Sequence, residues 1–281
     1  MARAQAIGPA TDVTVGEQNA VNNALHSATG APARVDLAGQ GRLRISGPEL
    51  FVPAEPARRI LAAKGQVSPP DLVGLVIGSA ALDSIGVIRF VHDGFVKADE
   101  ISQWTAADLL ASLRDATAKA NAERVDHGLP VLVVRRWLQP PTYRASVHRL
   151  VWAPMLVPEG APRETVVSTV YSAAAFGREG YFLIQYETNS TDWAARAKDA
   201  AIVLDDLRFL PGKGYEDFAP AGDRVASDGL EHLLGITRFR TESRFAGFWQ
   251  SDLTLPGLAG AGLVLGALLI WLRSRRFDRR R

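Results

Sequence analysis

The chain has no cysteine among its 281 residues. That absence removes disulfides, thiolate catalysis and cysteine-ligated zinc together. A chain far longer than ~80 residues can bury an adequate core without such staples, so the absence leaves the compartment open. Histidine is scarce as well. The five histidines, His26, His92, His127, His148 and His232, show no H-x-H or H-x-x-x-H spacing, so a metal site would need distant residues to converge. No G-x-G-x-x-G occurs, and the stretch PGKGYEDF at 211–218 lacks the G-x-x-x-x-G-K-[ST] spacing of a phosphate loop. It also follows a helical pattern where a phosphate loop follows a strand, so it reads as a plain loop. No cofactor, no metal and no catalytic residue is implied.

The most informative absence is of charge. Residues 253–272 run for twenty positions without a charged side chain, and six arginines then fall within nine positions. At ~1.5 Å rise per residue such a run spans a hydrocarbon core of ~30 Å as a helix. A buried core helix is rarely uncharged on every face and has no use for a poly-arginine end. The sequence therefore predicts one C-terminal transmembrane helix. Arg273, Arg275 and Arg276 flank the anchor directly and, with Arg279, Arg280 and Arg281, outnumber Arg238, Arg240 and Arg244 upstream. The positive-inside rule then keeps the tail cytoplasmic and the remainder on the far side of the membrane. Phe245, Phe248 and Trp249 place three rings on one helical face at headgroup depth. Within the span, Gly262 and Gly266 form a small-xxx-small pair that would allow a homodimer.

The net charge of +2 hides this asymmetry, because residues 273–281 carry six arginines and one aspartate, a net +5, which leaves −3 for the rest. A pI of about 9.0 is thus no nucleic-acid footprint, and no nucleic-acid partner is expected. The basic tail suits an anionic inner leaflet.

An exported domain requires a signal, yet the chain opens MARAQAIGPATDV with no apolar h-region of ~7 to 15 residues. Two routes stay open. Ala4-Gln5-Ala6 has the A-x-A form seen before a cleavage point, which fits a signal lying upstream of Met1. The other is a tail-anchored protein with a cytoplasmic domain, which would require six arginines to cross the membrane.

Along the chain, residues 1–32 read as a loosely held lead-in with at most a short helix near 17–27, and residues 33–236 as one folded domain. Residues 237–252 form a juxtamembrane segment, 253–272 the span and 273–281 the tail. Alternation at 34–36 and 42–45 around Gly39 and Gly41 predicts a hairpin, and Phe51-Val52 extends the β character. A short helix follows, with Pro56 in its first turn. Strands are predicted at 72–77, 85–91, 131–137, 143–152, 164–176 and 181–188. The link through Pro140-Pro141 is expected to be a stiff corner outside any ladder. Helices are predicted after Thr105, whose hydroxyl and Asp108 form a capping box, after Asn189-Ser190-Thr191, and at 225–236. Adjacent strands broken by single helices indicate an α+β fold, a mainly antiparallel sheet packed by amphipathic helices.

The strings GLVIG (74–78), PPTY (140–143), HRLVWA (148–153), GREGY (177–181) and PGKGYEDF (211–218) resemble, in order and spacing, those of an uncharacterised family of bacterial membrane-anchored proteins, domain of unknown function 2167. The resemblance covers roughly 33–236 and implies a signal peptide, an extracytoplasmic domain and a C-terminal membrane helix. It brings no activity or catalytic residue. Read physically, GREGY is a hairpin tip with Arg178 and Glu179 facing solvent.

If 143–152 is one strand, Arg144, Ser146, His148, Leu150 and Trp152 share a face. Arg144, His148 and Trp152 are then the candidate contact residues for an acidic ligand or an envelope protein partner. An ordinary solvated sheet face shows the same alternation. Ser146 and His148 would sit ~7 Å apart, too far for a nucleophile–base hydrogen bond of ~2.6 to 3.2 Å. The sequence leans toward a membrane-anchored binding or scaffolding module rather than the alternative, a hydrolase built around His148.

Overall fold

The computed structural model describes residues 22–64, 66–78, 84–97, 101, 103–126, 128–226 and 233–234. A short helix α1 (22–26) precedes β1 (Thr29–Gly30), β2 (Ala33–Leu37), β3 (Gly41–Ile45), β4 (Leu50–Pro53) and α2 (Ala54–Ala63). Next come β5 (Leu72–Ile77), β6 (Ile85–Val91), α3 (Ala106–Asp126), β7 (Leu132–Arg144) and β8 (Arg149–Pro158). The hairpin of β9 (Ser168–Phe176) and β10 (Tyr181–Asn189), helix α4 (Trp193–Asp206) and β11 (Leu207–Phe209) follow. Eight strands form one sheet in the order β1-β4-β5-β6-β10-β9-β8-β7, and β11-β3-β2 form a second. Every named strand pair is antiparallel. The α+β expectation with a large antiparallel sheet is therefore met. Among the described residues no helix is long and apolar enough to cross a membrane. The run at 253–272, Gly262, Gly266, the aromatic triplet, Arg273, Arg275, Arg276, His127 and His232 lie outside the described residues.

The large sheet is covered on both faces. Phe182, Ile184 and Tyr186 of β10 point to one side, where the small sheet and α4 pack. Tyr181 and Leu183 point to the other, toward Leu109 and Leu113 of α3. This explains the continuous apolar runs of β9 and β10, since antiparallel strands alternate polar and apolar only when one face is wet. Burying a side chain the size of Phe182 contributes about 2 kcal/mol, so a polar residue there would loosen the small sheet and α4 from the large sheet.

Helix α3 starts where its capping box predicts. Thr105 Oγ1 accepts from the Asp108 N–H at 3.2 Å, and Asp108 Oδ2 accepts from the Thr105 N–H at 3.2 Å and its hydroxyl at 2.6 Å. The helix lies along β7, the long outer strand of the sheet, and caps its free backbone groups. Asn121 donates to Leu132 O and accepts from Leu132 N, both at 2.9 Å, while Arg114 donates to Val134 O and Arg135 O at 3.1 Å. Further along, Pro140 and Pro141 fall in a bulge between the pairs Gln139–Ala153 and Thr142–Val151. Proline lacks a donor and is tolerated at such an edge. Together these devices close an edge that could otherwise template aggregation.

Two local expectations are corrected. The prolines do not end a strand: β7 runs through them, because an edge strand loses little when an N–H is missing. The reversal comes later, in the 3-10 turn Ala145–Val147, so the strand expected at 143–152 is split in two. Of the helix expected at 225–236, Val225 forms a parallel bridge with Phe95 and Leu233 is helical, while 227–232 and 235–236 lie outside the described residues. In α4 the buried stripe is Ala200, Val203 and Leu204, with Ala201 exposed. The helix is entered through Asn189, whose Oδ1 accepts from the N–H groups of Thr191 (2.8 Å) and Asp192 (2.9 Å).

Candidate functional site

Four of the five strings that carry the family resemblance meet at one end of the large sheet. Tyr143 is the penultimate residue of β7 and His148 closes the following turn. Tyr215 and Glu216 belong to the 3-10 turn Tyr215–Asp217, which is set by Gly212 at φ +78° and capped by Asp217 Oδ2 accepting from Gly214 N at 2.9 Å. His148 sits at φ +47°, a left-handed conformation that histidine tolerates better than most side chains. Its Nδ1 is 2.9 Å from the Tyr143 hydroxyl and its Nε2 is 2.8 Å from Glu216 Oε1. A carboxylate oxygen accepts, so Nε2 donates to Glu216, and in the tautomer protonated at Nε2 alone Nδ1 accepts from the Tyr143 hydroxyl. Both ring nitrogens are therefore engaged.

The same imidazole stacks on Tyr215, and Phe95 bridges Tyr215 to Phe218 with centroid separations of 4.5 and 3.8 Å. The Tyr215 hydroxyl donates to Val96 O at 2.9 Å. Such ring pairs contribute about 0.5 to 1.5 kcal/mol each beyond their buried area. Burial, together with the neighbouring Tyr215 and Glu216, pushes the Tyr143 phenol up to about 12. An activated nucleophile needs the opposite shift.

GREGY and PGKGYEDF grip each other. Gly177 bridges Gly214, and Arg178 N donates to Lys213 O at 3.0 Å. The Arg178 guanidinium grips Asp223 through two bonds of 2.7 and 2.8 Å, and Glu179 accepts from Lys213 Nζ at 2.6 Å and from Gln40 at 2.9 Å. Arg178 and Glu179 were expected to face solvent from a bare hairpin tip; the structure instead pairs both with the loop 211–223. The reason is tertiary, because ladder spacing cannot reveal which loop lands on a turn. The Arg178 hydrogen bond, then the Ala219 backbone N–H, holds Asp223 below the usual carboxylate range, and the Lys213 and Gln40 bonds do the same for Glu179. A Cβ on Gly177 would meet Phe209 Cε1 at 2.4 Å, and one on Gly180 would meet Val91 O at 1.9 Å. Glycine is required where these backbones touch.

The three residues singled out from sequence do not share one exposed strand face. Arg144 ends β7 opposite Arg149 and is exposed, while His148 lies in the turn beside Glu216. Trp152 is 4 % exposed and packs in the core, so it has no surface to offer a partner. Tyr143, Tyr215 and Glu216 were missed, although the strings PPTY and PGKGYEDF already contained them. Around His148 the exposed residues are Arg144, Ala145, Ser146 and Val147, the last at 43 %. Among the described residues no group of three His, Asp or Glu side chains could hold a metal. A cleft of about 380 Å³ between β2 and β4–β5, lined by Val35, Phe51, Leu72 and Val73, contains none of these residues.

Residues 29–248 match the model of a family described as protein of unknown function (DUF2167). No curated protein matches the chain. The solution structure of cyanobacterial PsbP (CyanoP) from Synechocystis sp. PCC 6803 matches at 8% identity over 75% of this chain and 99% of that one, with a TM-score of 0.38. A similarity that loose carries no inference.

Proposed function

We propose, from the premise that this chain belongs to the family described as protein of unknown function (DUF2167), that it is a single-pass module tethered to the bacterial inner membrane, which binds or scaffolds a protein partner in the envelope. The observation that carries the binding reading is the double engagement of His148. With both nitrogens bonded, the imidazole fixes the turn 144–147 and leaves Arg144 and Val147 projecting from a rigid base. A rigid tip with a cation beside an aliphatic group loses little conformational entropy on binding. The tether reading rests on the uncharged run at 253–272 and the arginines after it, which also favour a periplasmic domain and a cytoplasmic tail. Pairing of two copies through Gly262 and Gly266 belongs to the same proposal.

The hydrolase alternative draws on one observation, the Glu216 carboxylate 2.8 Å from His148. Glu216 is 86 % exposed, no free imidazole nitrogen faces a substrate, and the Tyr143 phenol is harder to ionise than usual. Those facts favour binding over catalysis.

The topology is tested by fusing alkaline phosphatase, or separately a fluorescent protein active only in the cytoplasm, before Leu253 in the full gene. Phosphatase activity without fluorescence supports the proposal. Fluorescence without phosphatase activity overturns it.

A further inference from the structure

The outer face of the small sheet is a field of arginines. In β3 the inward residues Leu43 and Ile45 alternate with outward Arg42 and Arg44. Cross-strand register sets Arg34 opposite Arg44, and both Asp36 and Arg208 opposite Arg42. Residues directly opposite share a face, so all five charged side chains project outward, and all five are exposed. Four arginines against Asp36 and the neighbouring Asp206 leave the face at +2, although the chain without its basic tail is negative. Asp206 is committed to Arg44 at 2.6 Å and to Ser46 at 2.7 Å. Among the described residues neither Arg34 nor Arg42 has an ion pair or hydrogen bond through its side chain.

Two like-charged pairs, Arg34–Arg44 and Arg42–Arg208, therefore stand directly across from each other, an arrangement that destabilises a sheet in isolation. An external anion removes that repulsion. The guanidiniums lie on a sheet surface with ~5 Å between strands and ~7 Å along them, so they meet an array of phosphates rather than one bound ion. None of the five outward residues is aromatic or aliphatic, as the anchor of a protein interface would be. We propose that this face docks on the anionic phospholipid headgroups of the membrane to which the chain is tethered, so that the domain lies against the bilayer by its small sheet. The proposal rests on the tethered reading, which brings the face within reach of the headgroup layer. Basic groups close to such a surface gain from its negative potential, and salt weakens that gain.

The test uses the full chain in nanodiscs. Because the protein has no cysteine, Ala38→Cys at the exposed β2–β3 hairpin gives a single site for a spin label. Its collision rate with nickel chelated to lipid headgroups reports contact with the surface. In discs containing phosphatidylglycerol the rate should exceed that in pure phosphatidylcholine several-fold. It should fall to the phosphatidylcholine level in about 0.5 M salt, where screening shortens to a few ångströms. R34Q/R42Q should abolish the difference, whereas R59Q/R163Q, which removes the same charge elsewhere, should leave it. Equal rates in the two lipids, or indifference to R34Q/R42Q, overturns the docking and points to an acidic protein as the partner of this face. Elution of the chain apart from the discs refutes the tether instead. In that case sedimentation with phosphatidylglycerol vesicles decides the face: loss of binding in R34Q/R42Q alone supports it, and absence or persistence of binding overturns it.

Discussion

The imidazole of His148 lies flat on the phenol ring of Tyr215, with centroids 3.8 Å apart and planes 15° from parallel. The two residues are far apart in sequence, and their contact ties the β7–β8 turn to the loop after β11. Glu216 next to Tyr215 takes one imidazole nitrogen and Tyr143 takes the other, so one side chain joins three segments.

Substitutions at His148 should separate the ring from its backbone. His148→Asn keeps a residue that accepts φ +47° and loses the imidazole contacts, and should lower stability by about 1 to 2 kcal/mol. His148→Val forces a branched side chain into the left-handed region and should cost about 1 kcal/mol more. Denaturant unfolding of the full chain in mild detergent measures both. Equal losses would mean that the backbone conformation contributes nothing.

Asp223 and Glu179 set an acid limb. Their folded values lie below the unfolded ones of about 3.9 and 4.3, so their contribution is present above that range and is lost as pH falls through the folded values. Thermal unfolding followed from pH 6 downward should show a steeper fall for the wild type than for E179Q/D223N. Parallel curves would remove the two ion pairs from the account of stability.

Tyr143 sets an alkaline limb. Its folded value of about 12 exceeds the unfolded one of about 10, so the stability it contributes is complete below pH ~10 and is lost as pH rises toward 12. Replacement by Phe should flatten that loss in unfolding midpoints recorded across the interval. An unchanged slope would place the phenol in water.

Glycines of similar appearance should behave differently. An alanine at Gly180, at φ +153°, would push its Cβ to 1.9 Å from Val91 O, whereas Gly39, at φ +66°, has nothing within 4 Å. Gly39→Ala should cost about 1 kcal/mol through backbone strain alone, and Gly180→Ala upward of about 2 kcal/mol. Comparable unfolding midpoints for the two variants would contradict the close approach.

At the turn, Arg144→Ala and Val147→Ser should each leave stability within about ±0.5 kcal/mol, because both side chains are exposed. Recovery of a cross-linked envelope protein should nevertheless fall sharply in the double variant. Undiminished recovery would remove this turn from the partner surface.

The amino-acid order was enough to locate most elements, because their signals are local. The strands Leu72–Ile77 and Ile85–Val91, the β9–β10 hairpin and the Thr105 cap depend on neighbours within a few positions. The double proline misled for a related reason. Its cost depends on whether the strand lies at an edge, and strand order is settled only when the sheet assembles. The uncharged run at 253–272 is a matter of composition alone and lies outside the described residues.

The site was legible only in its parts. PPTY, HRLVWA, GREGY and PGKGYEDF could be picked out as strings, and His148 as the histidine in the most informative surroundings. That Tyr143, Tyr215 and Glu216 close around it, that Trp152 turns inward, and that Arg178 finds Asp223 depends on contacts between segments many residues apart. Periodicity describes which side of a strand a residue takes. Which element covers that side is decided by packing two sheets and their helices into one core, and that is a property of the tertiary structure alone.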